Sequence, residues 1–229
     1  PAPGRALAVA QMDGRPHGRG GHRIAVTGGP GAGKTTAADL FRRELGERVV
    51  VVPEAATLLF SGGFPRHTDP EAVRAAQRAI FYVQRGLEET QAAQYPGRVL
   101  ICDRGTVDGA CYWPDPQGFF EDVGTTLDAE LRRYDAVIFF ETAAAGGLSI
   151  EGGNPTRVED IETAVELDHR LRALWSRHPR FFFVPHHGSF FKKIAFGLVS
   201  LEGVVAQLDL HENGDFMRTA RATRELSED

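Results

Sequence analysis

The segment Gly28-Gly29-Pro30-Gly31-Ala32-Gly33-Lys34-Thr35 constrains this chain more than any other. It matches G-x-x-x-x-G-K-[ST] without a mismatch. An apolar run at 23–27 precedes it, and a helical pattern at 34–45 follows, with Ala37, Leu40, Phe41 and Leu45 at helical spacing. Glycines let the backbone wrap tightly, so that several N–H groups converge on one anion, and the positive end of the helix adds to the attraction. Such a strand–loop–helix unit predicts a cradle for the phosphates of a nucleoside triphosphate, ATP or GTP. Gly29, Pro30, Gly31, Ala32 and Gly33 would wrap the phosphates and Lys34 would neutralise the β and γ groups. The Thr35 hydroxyl would ligate Mg²⁺, and Thr36 would reach the α-phosphate.

The rest of the chain must supply a sheet for that unit to join. Residues 48–52 are a β-branched run suited to a strand buried on both faces. Further apolar runs stand at 98–102, 135–140 and 181–184. Between them lie helical patterns: one opening at Asp69-Pro70 and running to about 94, then 107–112, 116–133, 159–177 and 189–208. Short apolar strands alternating with helices predict an α/β domain, a five-stranded parallel sheet with helices on both faces. Residues 1–22, rich in Gly, Pro, Arg and His, read as a flexible arm; 23–210 as the domain, with a lid segment near 141–158; and 211–229 as a polar tail.

Net charge is −5, so the basic excess of a nucleic-acid binder is missing and the expected partner is a small molecule. No apolar run reaches the roughly 18–20 residues of a bilayer span. Two cysteines, Cys102 and Cys111, cannot build a disulfide framework, which fits a cytoplasmic location.

Two carboxylates follow strands. Asp103 closes the 98–102 run, where nucleotide-bound Mg²⁺ wants an acidic residue; a helix cap is the plainer alternative. Glu54 follows the second strand. Ligands of open α/β sheets bind beyond the carboxyl ends of the strands, so Glu54 and Asp103 should face the same crevice. There Glu54 could orient or deprotonate an acceptor hydroxyl, or simply pair with Arg104.

The Pro-Glu-Ala-Ala stretch at 53–56 and the Asp-Arg-Gly stretch at 103–105, together with the phosphate-cradle segment, resemble the NadR-type AAA-like ATPase family. That family is similar to P-loop nucleoside kinases, including nicotinamide riboside kinase, and the resemblance spans 23–208. It implies a kinase-type sheet order, 2-3-1-4-5, and places Arg104 beside the transferring phosphoryl group. Two positions depart from deoxynucleoside kinases. Pro53-Glu54 stands for a Glu-Pro pair, and Gly105 for a small hydroxyl residue.

Arg157, in the position of a kinase lid, could stabilise charge on the γ-phosphoryl. Arg170 and Arg172 read as surface pairs, and Arg66 and His67 as residues of a surface loop that could contact an acceptor phosphate or hydroxyl. Asp108 and Tyr112 could line its pocket, and Trp113 could stack on it. Taken together, the chain reads as a phosphotransferase with Lys34, Glu54, Asp103, Arg104 and Arg157 at its centre, moving the γ-phosphoryl of ATP or GTP to an unidentified small-molecule hydroxyl. The alternative is a nucleotide-switched binding protein, or a plain NTPase, that recognises an acidic lipid or protein.

Overall fold

The computed structural model describes residues 21–115, 118–146 and 161–225. Five strands, β1 (Arg23–Thr27), β2 (Val49–Val52), β3 (Val99–Asp103), β4 (Ala136–Phe140) and β5 (Phe181–Val184), form one parallel sheet in the order β2-β3-β1-β4-β5. The parallel sheet and its order, as expected, put the strand ending in Asp103 beside the strand that feeds the glycine-rich loop.

Side chains alternate across the sheet with period two and divide the core. Ile24, Val26, Ile101, Ile138 and Phe140 face one side. They meet α1 (Lys34–Leu45) through Phe41 and α8 (Phe190–Glu225) through Ile194 and Leu201. Ala25, Leu100, Cys102, Val137 and Phe139 face the other. There α3 (Pro70–Gln94) contributes Ala92, and α7 (Ile161–Trp175) contributes Leu167, Leu171 and Trp175. Phe41 and Trp175 are fully buried, and truncating either to alanine should cost about 3–5 kcal/mol.

Several expectations need correction. The stretch between Glu54 and Asp69, where the sequence marked no helix, contains a short one, α2 (Ala55–Ser61), closed at Gly62. The single helix anticipated over 116–133 is instead α5 (Phe119–Asp122) and α6 (Leu127–Leu131), after the short α4 (Gly109–Tyr112). Gly124, at φ 71°, breaks the run between α5 and α6, and the Thr126 hydroxyl caps α6 by accepting from the Ala129 N–H. The closing helix, anticipated to end near 208, continues to Glu225. By contrast, Asp69 caps α3 with Pro70 at its first position, as the sequence predicts.

Candidate functional site

The loop after β1 is held open by backbone shape. Gly28 has φ 137°, and a Cβ there would lie 1.9 Å from the Phe140 carbonyl oxygen, so no other residue fits. The Lys34 ammonium is buried and donates to the Gly29 carbonyl at 2.8 Å. Burial and the nearby Arg104 charge lower its pKa to about 7, against the pull of Glu54, Asp103 and Asp108. The Thr35 hydroxyl donates to Asp103 Oδ2 at 2.8 Å. The other oxygen, Asp103 Oδ1, is buried without a hydrogen-bond partner among the described residues. Burial, then Glu54, push the Asp103 carboxyl pKa up. A hydroxyl bonded to a carboxylate with an oxygen to spare fits Mg²⁺, a cation that takes few protein ligands and fills its shell with phosphate and water.

Beyond Asp103 the chain turns sharply. Arg104 has φ 71°, the only left-handed residue other than glycine among those described, and its N–H donates to the Val26 carbonyl at 3.0 Å. Such a conformation costs about 1–3 kcal/mol and persists only where the surroundings hold it. Here a half-buried ion-pair chain does so. Arg104 Nε donates to Glu54 Oε1 at 2.5 Å, and Nη1 to Asp108 Oδ2 at 2.9 Å. Asp108 also accepts from the Thr27 hydroxyl at 2.9 Å and the Trp175 indole N–H at 2.7 Å. Burial alone would raise the Glu54 pKa, but Arg104, the Thr57 hydroxyl at 2.6 Å and Lys34 outweigh it and hold it low. Glu54 therefore stands as a charged acceptor of hydrogen bonds already engaged with Arg104. The glycine at 105 also has a reason: a Cβ there would meet the Trp175 ring at 2.7 Å.

Three supports of the glycine-rich loop escaped the sequence reading. Asp168 Oδ1, on α7, accepts from the Gly29 N–H at 2.9 Å and the Thr142 N–H at 2.8 Å. The Thr142 hydroxyl donates to the Pro30 carbonyl. Lys193, on α8, donates to the Ala32 carbonyl at 2.8 Å and the Glu141 carbonyl at 2.5 Å. Burial lowers the Lys193 pKa to about 8, partly offset by Asp168 and Glu141. Asp168 lies 139 positions from Gly29, so no local pattern could have marked it.

A cleft of about 780 Å³ opens from the loop and runs between α2 and α3. Lys34, Thr35, Thr36, Glu54, Asp103 and Arg104 line its inner end. Leu58, Phe60, Ile80 and Phe81 form its apolar wall, and Arg66, Gln77, Asp108 and Tyr112 contribute polar groups. The structure thus gathers the glycine-rich loop, Glu54, Asp103, Arg104, Asp108, Tyr112 and Arg66 around one space. Gln77 is buried and was not singled out from the sequence; it sits in the middle of α3 with nothing but helical spacing to mark it. His67 is exposed and does not line the cleft. Trp113 packs on Phe119 in the core. Arg170 lies 3.9 Å from Glu166, a surface pair, and Arg172 sits over the Phe183 ring. Arg157 lies outside the described residues.

A parallel sheet in this order, with the glycine-rich loop after its central strand and an acidic residue ending the neighbouring strand, defines a P-loop kinase-like fold. The chain belongs to the AAA-domain family, whose model matches residues 23–193. Solved structures similar to it include the NadR protein in complex with NAD and AMP-PNP, with a TM-score of 0.56 and 12% identity over 82% of this chain. Deoxyadenosine kinase from M. mycoides with bound dATP is similar at a TM-score of 0.56 and 17% identity, over 79% of this chain and 99% of that one. The chain spans half the length of the NadR chain it matches. No curated protein sequence matches it.

Proposed function

We propose that this chain is a small-molecule kinase that moves the γ-phosphoryl group of ATP or GTP to a hydroxyl. The observation that carries this reading is the shape of the cleft. The same cleft continues past the glycine-rich loop into an apolar region between α2 and α3, room that a plain NTPase would not need.

Each residue has a role that follows from its place. The N–H groups of the loop and the start of α1 would hold the triphosphate. Lys34, released from the Gly29 carbonyl, would lie against the β- and γ-phosphates. Thr35 and Asp103 would hold Mg²⁺, which supplies charge neutralisation across the phosphates when bound. The acceptor oxygen would attack the γ-phosphorus; the new O–P bond forms as the bond to the bridging β–γ oxygen breaks, and the nucleoside diphosphate leaves. The transition state is loose, so positioning and charge matter more than base strength. Glu54, with its lowered pKa, is suited to accepting the hydroxyl's hydrogen bond and aiming its oxygen, and would take the proton only late, as the new O–P bond forms. Arg104, bridged to Glu54 and Asp108, would balance charge on the moving group, and Arg157 is proposed for the same role from its place in the chain between β4 and α7.

The test is a screen of hydroxyl-bearing metabolites with Mg·ATP and Mg·GTP, read by mass spectrometry as a gain of one phosphoryl group. A product made by the wild type and lost in Lys34→Ala supports the kinase. Triphosphate binding with no acceptor, combined with nucleotide-dependent capture of an anionic lipid or a protein, would replace it with the switch reading.

A further inference from the structure

The cleft has a charge that the transfer chemistry does not use. Of its cations, Lys34 faces the phosphate cradle and Arg104 is bridged to two carboxylates. Arg66 has no acidic partner among the described residues. Its guanidinium lines the cleft and sits 3.8 Å from the centroid of the Phe60 ring, at the end of α2 remote from Glu54. Phe60 is steadied in turn by an edge contact with Phe64. Of the carboxylates that line the cleft, Glu54 and Asp108 are bridged to Arg104 and Asp39 pairs with Arg42 on the surface, while Asp103 holds Thr35 through Oδ2 and keeps Oδ1 for the Mg²⁺ site proposed above.

We infer that the acceptor carries an anionic group, a carboxylate or a phosphate, at the end opposite its reacting hydroxyl, and that Arg66 binds it. The inference rests on the kinase reading above and names its substrate class. Distance supports it. Glu54 and Phe60 stand at the two ends of α2, six residues apart. At 1.5 Å rise per residue that is about 9 Å, so hydroxyl and anion should be separated by about that length. The wall between them is apolar, from Leu58 on α2 and Ile80 and Phe81 on α3, which suits a flat or hydrocarbon body. An arginine stacked on an aromatic ring keeps its planar fork directed outward, the arrangement that receives carboxylate or phosphate through two parallel hydrogen bonds.

Three probes of matched length test this: para-(hydroxymethyl)phenylacetate, para-(hydroxymethyl)benzylphosphonate and the neutral N-methylamide of the first. Their affinities are measured by calorimetry with a non-hydrolysable Mg-triphosphate present. At least one anionic probe should bind about tenfold tighter than the amide, the usual worth of hydrogen bonds to a charged group. Which anion wins separates a carboxylate acceptor from a phosphate one. Arg66→Ala should erase the preference and Arg66→Glu reverse it, while both variants keep the wild-type melting temperature, because Arg66 is exposed. Equal binding of the three probes, failure of both anions to bind, or a preference that survives Arg66→Ala overturns the inference. Efficient phosphoryl transfer to neutral hydroxyl compounds would overturn it and leave the kinase standing. An Arg66-dependent anion site in a protein that transfers to no hydroxyl would keep the site and overturn the kinase.

Discussion

Glu54 Oε1 accepts a hydrogen bond from Arg104 Nε at 2.5 Å, just beyond the carboxyl ends of the neighbouring strands β2 and β3. The pair joins two roles in one contact, since the residue that would aim the acceptor also aims the arginine. Glu54→Gln should therefore keep triphosphate affinity within a few-fold, because the proposed phosphate site is the loop and not Glu54. Phosphoryl transfer should fall roughly 10²–10⁴-fold from loss of charge and misorientation. Comparing the nucleotide Kd with single-turnover rates checks this. A large loss of nucleotide binding would instead make Glu54 a support of Arg104 alone.

Lys34 predicts a proton signature. Its folded pKa is lowered to about 7 from 10.5, so between those values the unfolded chain holds a proton that the folded chain has released. Apo stability should then rise with pH through that window. A bound triphosphate favours the charged ammonium, so binding at about pH 8.5 should take up a proton, and affinity should fall as pH climbs above about 7. Calorimetry in buffers of different ionisation enthalpy reads the uptake directly. Lys34→Arg, protonated throughout, should lose it.

Ligand-linked stability tests the nucleotide site as a whole. At a Mg-triphosphate concentration about a hundred times Kd the gain should be about 2.7 kcal/mol, seen as several degrees in Tm. Asp103→Asn removes a negative charge beside Thr35, and should shrink the Mg²⁺-dependent part of that shift more than the part that remains in EDTA. Equal losses under both conditions would reduce Asp103 to an anchor for the Thr35 hydroxyl.

Asp168 separates hydrogen bonding from charge beneath the loop. Both the Gly29 and Thr142 N–H groups land on the same oxygen, Oδ1. Asparagine can keep both bonds, so Asp168→Asn should cost little stability. Removing the negative charge from beneath the phosphate cradle should tighten Mg-triphosphate binding several-fold. Asp168→Ala leaves two buried donors unsatisfied and should cost about 1–3 kcal/mol for each. Thermal melts with nucleotide titrations distinguish the two; equal destabilisation by both variants would show that the charge itself holds the fold.

Much of the architecture was legible because it is local. A glycine-rich loop between a strand and a helix has one common use; continuous apolar runs marked all five strands, and period-3.6 patterns marked the long helices. Asp69-Pro70 announced the start of α3 because capping is decided within four residues. The misses were local too, where the signal was weak. The seven residues of α2 carry no side-chain cap, and Gly124 split a run that amphipathic spacing alone would have joined.

The sequence by itself determined the glycine-rich loop, the parallel sheet, and the placing of Glu54 and Asp103 at the carboxyl ends of their strands. These depend on backbone conformation and on hydrophobic period, which a chain carries in its own order of residues. Only the tertiary structure decided that Glu54 is held by Arg104, that Asp108 joins β1 to α7 through Thr27 and Trp175, and that Asp168 and Lys193 brace the loop from below. It also set Arg66 over Phe60, at the end of α2 remote from Glu54. Each of these turns on which unlike groups meet once the helices pack on the sheet. A buried charge must find its partner wherever the fold brings one within about 3 Å, however far apart the two lie in the chain.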